Sequence, residues 1–160
     1  FTTLTPQPGI AELPGDRRLV IADIPGLIEG AADGAGLGHD FLRHVERTKV
    51  IVHVIDLVPF DESDPIANHE VIRRELHAFS PVLAEKPELV VFNKIDLVAP
   101  AERDATIRRV AHAIGIDSAE VVVSSGATGE NVREILERAW KMLVEVEGER
   151  EKWPGRPANA

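Results

Sequence analysis

Leu89-Val90-Val91-Phe92-Asn93-Lys94-Ile95-Asp96 joins an apolar, β-branched run to four residues of a different character. The run suits a strand buried on both faces of a parallel sheet, and such sheets bind ligands past the carboxyl ends of their strands. Asn93-Lys94-Ile95-Asp96 stands at that place. The Asp96 carboxylate can accept two hydrogen bonds from N1–H and the exocyclic amine of guanine, a pair that adenine does not offer. A base lacking both donors leaves a buried carboxylate unpaired, so discrimination is steep. The Lys94 stem can cover the face of the base, and Asn93 can tie the loop to its neighbours. Asn-Lys-x-Asp alone is short enough to arise by chance, and its weight comes from the rest of the chain.

Similar apolar runs recur at Arg18-Leu19-Val20-Ile21-Ala22, Val50-Ile51-Val52-His53-Val54-Ile55 and Val121-Val122-Val123. Helical spacing separates them. Ile72, Leu76, Phe79 and Leu83 follow the start signal Asp64-Pro65, and Ile107, Val110, Ala111 and Ile114 stop at Gly115. Val132, Ile135, Leu136, Ala139, Leu143 and Val146 form the clearest stripe, with Thr128 as its expected N-cap. Strands alternating with helices predict an α/β fold, a mostly parallel sheet flanked by helices. Asp23, Asp56, Asn93 and Ser124 all fall just past strand ends, on the ligand side of such a sheet. The stretch from Gly148 to Ala160 departs from the helical pattern and reads as a linker or tail after a domain spanning 1–147.

Bulk composition narrows the class. At 160 residues, 44% hydrophobic and 28% charged, the chain has the balance of one soluble globular domain. With 18 basic and 27 acidic residues, the net charge of −9 argues against sequence-independent nucleic-acid binding by this segment. No apolar run is long enough to span a membrane. Cysteine is absent, which removes disulfides and thiolate metal sites and fits a reducing, cytoplasmic setting. The six histidines show no metal-ligand spacing, and His53, inside an apolar strand, reads as a hydrogen-bonded core residue.

Asp23-Ile24-Pro25-Gly26 also follows a strand. An Asp there can hold a water of a hydrated Mg²⁺, and a Gly lets a backbone N–H approach a terminal phosphate. Asp, Pro and Gly are equally the residues of an ordinary turn. The Asn-Lys-x-Asp seventy residues later resolves the choice, because the two motifs at that spacing resemble the third and fourth motifs of Ras-like GTPases. Ser125-Gly126-Ala127 falls where the fifth belongs. The match is closer still to the Obg family. Phe1-Thr2-Thr3-Leu4, Asp23-Ile24-Pro25-Gly26-Leu27-Ile28-Glu29-Gly30-Ala31 and Gly36-Leu37-Gly38-His39-Asp40-Phe41-Leu42-Arg43-His44-Val45-Glu46-Arg47-Thr48 carry that resemblance, with the stretch from Lys86-Pro87 to Asn93-Lys94-Ile95-Asp96 and Ala127-Thr128-Gly129-Glu130. The spacing from Asp56 to Asn93 and the Lys86-Pro87 pair favour Obg over the eukaryotic developmentally regulated GTPases.

The resemblance implies a Ras-like P-loop GTPase fold, GTP or GDP and Mg²⁺ as ligands, and in some members K⁺. It implies a nucleotide-driven switch that hydrolyses GTP to GDP and phosphate, with the large ribosomal subunit as partner and no membrane. Carried over by position, Thr3 would ligate Mg²⁺ directly and Asp23 through water, within the turn Asp23-Ile24-Pro25-Gly26. Gly26 would sense the terminal phosphate, and Asn93, Lys94, Ile95 and Asp96 would form the guanine loop. A backbone N–H from Ser125, Gly126 or Ala127 would meet the base carbonyl, with the register open by one residue. The stretch Gly30 to Gly38 fits switch II.

Two departures qualify this. Leu27 stands where Ras-type enzymes carry the glutamine that orients water, and leucine cannot hydrogen-bond water. No catalytic base is assigned, because Glu29 and His39 read as solvated switch residues. G-x-x-x-x-G-K-[ST] occurs nowhere in the 160 residues. In the family that loop, the first strand and the first helix precede the position of Phe1, so the resemblance implies a fold truncated at its N-terminus. The expectation is a monomeric segment that by itself binds GTP poorly and does not turn it over. The alternative reading is a non-catalytic G-domain remnant that binds protein.

Overall fold

The computed structural model describes residues 8–24 and 39–151. In chain order the elements are β1 (Pro8–Leu13), β2 (Arg17–Ala22), α1 (His39–Glu46), β3 (Ile51–Asp56), α2 (Pro65–Phe79), the short α3 (Pro81–Ala84), β4 (Glu88–Asn93), α4 (Arg103–Ala113), β5 (Val122–Val123) and α5 (Val132–Glu151). Strands β3, β4 and β5 form a parallel sheet in that order, with Asp56 opposite Asn93 and Val91 opposite Val122. Each return path carries a helix, as parallel pairing requires.

Start and stop signals work as the residue types dictate. The Asp64 carboxylate accepts from the Ile66 N–H, and Pro65 opens α2 where its missing donor costs nothing. Gly115 takes a positive φ of 78° after α4, and the Ile116 N–H returns to the Ala111 carbonyl. Thr128 does not cap α5. Its hydroxyl accepts from the Glu130 N–H two residues on, and the helix starts four residues later, at Val132. At the other end α5 runs through Gly148 to Glu151, past the expected break. One glycine costs only about 1 kcal/mol in a helix interior, too little to end a helix twenty residues long.

β1 and β2 form a separate antiparallel hairpin, from Pro8 opposite Ala22 to Leu13 opposite Arg17. β1 is unexpected from sequence, since Pro8 and Gly9 argue against a strand, but proline is tolerated as the first residue of one. The turn at Pro14-Gly15-Asp16 places Gly15 and Asp16 at positive φ, 80° and 57°, which suits glycine and aspartate.

Two cores flank the parallel sheet. On one face Ile55, Val90, Phe92, Ile95, Val110 and Ala111 are buried, with Ile66 from α2 and Ile107 from α4 packed on them. On the other, Leu89, Val91 and Val122 meet Ala139 of α5 together with Leu13 and Leu19 of the hairpin. β4, and the short β5 with Val122 in one core and Val123 against the other, have the two-sided burial expected of every strand. Val52 and Val54 of β3 and Val20 and Ile21 of β2 remain partly or largely exposed, between 39% and 72%. No backbone ladder joins β2 to β3 among the described residues.

The hairpin therefore depends on two leucines. Leu19→Ala removes a side chain only 3% exposed, and the expected loss is about 2–4 kcal/mol in urea unfolding. The amides of β1 and β2 should lose exchange protection before those of β4; unchanged protection there would show that the hairpin is not held by this contact.

Candidate functional site

Parallel pairing sets Asp56 and Asn93 side by side at the carboxyl ends of β3 and β4, and β5 brings Ser124 and Ser125 alongside. The Asn93 side chain spans the three strand ends. Its Nδ2 donates to Asp56 Oδ1 at 3.3 Å, and its Oδ1 accepts from the Gly126 N–H at 2.9 Å. That is the tying role expected of Asn93.

Lys94 turns the chain. It sits in the left-handed region, φ 65° and ψ 33°, which costs a non-glycine residue free energy unless the surroundings hold it there. The Lys94 Nζ lies 2.9 Å from Asp56 Oδ2. Buried Ile95 fixes the loop to the core, and its N–H donates to the Ser124 carbonyl at 3.1 Å. A short 3₁₀ turn, Ile95–Leu97, follows and presents Asp96.

Ser125 holds Asp96. Fully buried, it donates Oγ–H to Asp96 Oδ1 at 2.7 Å while accepting from the Thr128 N–H at 3.1 Å. Among the described residues Oδ2 of Asp96 has no donor. Committing one carboxylate oxygen and leaving the other open orients the acid group without filling its capacity of about four acceptor positions. The neighbouring backbone donors are largely used. The Ser125 N–H goes to the Glu130 carbonyl and the Gly126 N–H to Asn93. Only the Ala127 N–H, of these three, has no acceptor among the described residues.

The structure therefore brings Asn93, Lys94, Ile95, Asp96, Ser125, Gly126 and Ala127 together. Asp23 is exposed at the end of β2, while Ile24 packs against the cluster of Val45, Leu76, Leu83 and Ala84. No hydrogen bond or ion pair links Asp23 to the Asn93–Asp96 loop among the described residues. Thr3, Pro25 and Gly26 lie outside the described residues, as do Leu27, Glu29 and the stretch Gly30 to Gly38.

Two contributors escape sequence reasoning. Asp56 was legible as a strand-end residue, but its double role toward Asn93 and Lys94 depends on the β3–β4 register. Asn131, at φ 57°, donates Nδ2–H to the Val123 carbonyl at 2.8 Å and closes the Ser125 loop. An Asn between Glu130 and a helical stripe was the available signal, since Asn tolerates that conformation.

A sequence profile of 50S ribosome-binding GTPases matches residues 1–94, more than half of the chain. The chain belongs to the 50S ribosome-binding GTPase family. Among curated relatives, GTPase Obg of Aquifex aeolicus is 49% identical over 146 residues, covering 91% of this chain and 42% of that protein. GTPase Obg of Symbiobacterium thermophilum is 50% identical over 143 residues, 89% of this chain and 33% of that one. The Obg resemblance expected from the motifs is thus borne out, and this family member spans less than half the length of those two relatives. Two crystal structures share its fold at 23% identity. Era bound to MgGDPNP and a 16S ribosomal RNA segment has a TM-score of 0.55, over 88% of this chain and 45% of that one. An Aquifex aeolicus Era bound to GDP·AlF4⁻ reaches 0.59, over 86% and 44%. The fold is Ras-like, as expected. Among the described residues no helix is long and apolar enough to cross a membrane.

Asn93 ties three strand ends. Asn93→Ala should cost about 1–2 kcal/mol of stability and speed hydrogen exchange at the Gly126 amide. An unchanged Gly126 exchange rate by NMR would contradict the tie.

Proposed function

We propose that this chain supplies the guanine-reading part of a GTPase that hydrolyses GTP to GDP and phosphate. The observation that carries it is Asp96, held through one oxygen by buried Ser125 and open at the other, beside the uncommitted Ala127 N–H. The carboxylate takes N1–H and the amino group of guanine, and the Ala127 N–H takes the base carbonyl. Adenine presents a donor where that carbonyl would be and lacks the amino group. Lys94 covers the base with its stem while Asp56 anchors its ammonium group.

Asp23 is assigned to the magnesium side. An exposed carboxylate at a strand end suits a hydrated Mg²⁺, which keeps most of its waters and takes few protein oxygens. Thr3, Pro25 and Gly26 complete that half of the site by position. When bound, the ion neutralises phosphate charge, and this chain's own part is to position its water shell. In the switch reading, contacts from Thr3 and Gly26 to the terminal phosphate order their segments, and loss of that phosphate releases them. The large ribosomal subunit is the proposed partner, supported by the family's ribosome-binding character and the similarity to GTPase Obg.

The test is base selectivity in the protein that carries this chain. Asp96→Asn removes a charged acceptor of two hydrogen bonds and should weaken GTP binding by roughly 10²- to 10⁴-fold. The new amide N–H should in exchange favour xanthosine triphosphate, whose C2 carbonyl accepts where guanine donates. Titration calorimetry with GTP, XTP and ATP decides it. An unchanged GTP preference in the variant would refute the assignment.

A further inference from the structure

Away from the guanine loop, under α2, the fold gathers three metal-ligating side chains that the sequence scatters over three elements. His53 lies on β3, Glu88 opens β4 and His69 is on α2. Glu88 pairs with Ile51 across the parallel ladder, so His53, two residues on, shares its face of the sheet. The His53 Nδ1 and Glu88 Oε1 are 3.0 Å apart. His69 stacks on His53 with ring centroids 5.1 Å apart and planes inclined by 15°. One donor atom from each of the three lies within 4.8 Å of the others, the sole such group of three among the described residues.

We propose that His53, His69 and Glu88 form a binding site for a zinc-like divalent ion that clamps α2 to the β3–β4 sheet. Two imidazoles and one carboxylate are a donor set that zinc accepts, with a fourth position left for water. Magnesium and calcium, which want oxygen alone, fit it poorly. Ligand atoms about 2.1 Å from a tetrahedral zinc lie roughly 3.4 Å from one another. The His53–Glu88 edge is already that short, at 3.0 Å, and the other two lie within 4.8 Å.

The surroundings prepare the donors. Arg73, one turn beyond His69, takes Glu88 Oε2 at 2.6 Å and the Ala84 carbonyl at 2.9 Å, leaving Oε1 toward the rings. A carboxylate oriented by a partner on its far oxygen is the usual support for a metal ligand. Burial, and then His53, hold the His69 imidazole below the ordinary histidine range despite Glu88 and Glu70, which favours the neutral, ligating form. Burial opposes ionisation of Glu88, but the His53 hydrogen bond and the charges of His53 and Arg73 outweigh it and keep the carboxylate below its usual range. The Nδ1 proton that His53 shares with Glu88 leaves on binding, moving to Nε2 or to solvent, and the nitrogen lone pair takes its place.

Cobalt(II), a visible stand-in for zinc, tests this directly on the 160-residue chain. The expected result is saturation at one equivalent with a ligand-field absorption band, displaced by zinc, and a melting temperature that rises with added zinc. His69→Phe keeps a ring against His53 but removes the donor. It should abolish the band and the zinc-dependent shift while leaving the circular dichroism spectrum unchanged. Glu88→Gln keeps the shape and should weaken binding by roughly ten- to hundredfold; it decides the matter if His69→Phe fails to fold. No saturable binding by the parent chain, or a band that survives in the folded variants, overturns the proposal.

Discussion

The hydrogen bond from Ser125 to Asp96 is the contact on which the rest of the site depends. It joins loops that leave different strands, and it exists only because β5 lies beside β4. Two more bonds run between the same loops, from the Ile95 N–H to the Ser124 carbonyl and from the Gly126 N–H to Asn93. Together they compensate the strained backbone of Lys94. A left-handed lysine in a free loop would relax to an ordinary conformation, and Asp96 would turn with it. The two-residue strand β5 is short for what it anchors. Buried Val122 holds it from one side, and Asn131, bonded to the Val123 carbonyl, from the next loop.

Energy and function are distributed unevenly across the fold. β4 is buried on both faces and ends in the Asn93–Asp96 loop, so the most deeply packed strand carries the loop proposed to read the base. β2, which ends at Asp23, is held through Leu19 and the β1 ladder and keeps apolar side chains in solvent. A base-reading site needs fixed donors and acceptors, and a strand covered on both sides supplies them.

Charge is placed with the same economy. Asp56 serves Asn93 with one oxygen and Lys94 with the other, so one carboxylate positions both side chains. Glu88 does likewise beneath α2, between His53 and Arg73. His53 is hydrogen-bonded in the core, as its place in an apolar strand suggested. Its stacking on His69 could not be foreseen, because helix α2 brings the second ring from sixteen residues away.

The sequence by itself determined the α/β class, the family resemblance and the place of Asn93-Lys94-Ile95-Asp96 at a strand end. Strand runs, the Asp64-Pro65 start, the Gly115 stop and Asn93-Lys94-Ile95-Asp96 are local signals, set by backbone sterics and by what each side chain can donate or accept. Register and cross-strand partnership were decided only by the tertiary structure. Which backbone N–H remains open depends on Asn93 having already taken that of Gly126, and no spacing along the chain reveals it. The same holds for the β1–β2 hairpin, where two leucines overcome a weak strand sequence by burial against α5. Hydrogen-bond capacity is spent pairwise in space, so the donors left for a ligand become countable only after folding has used the others.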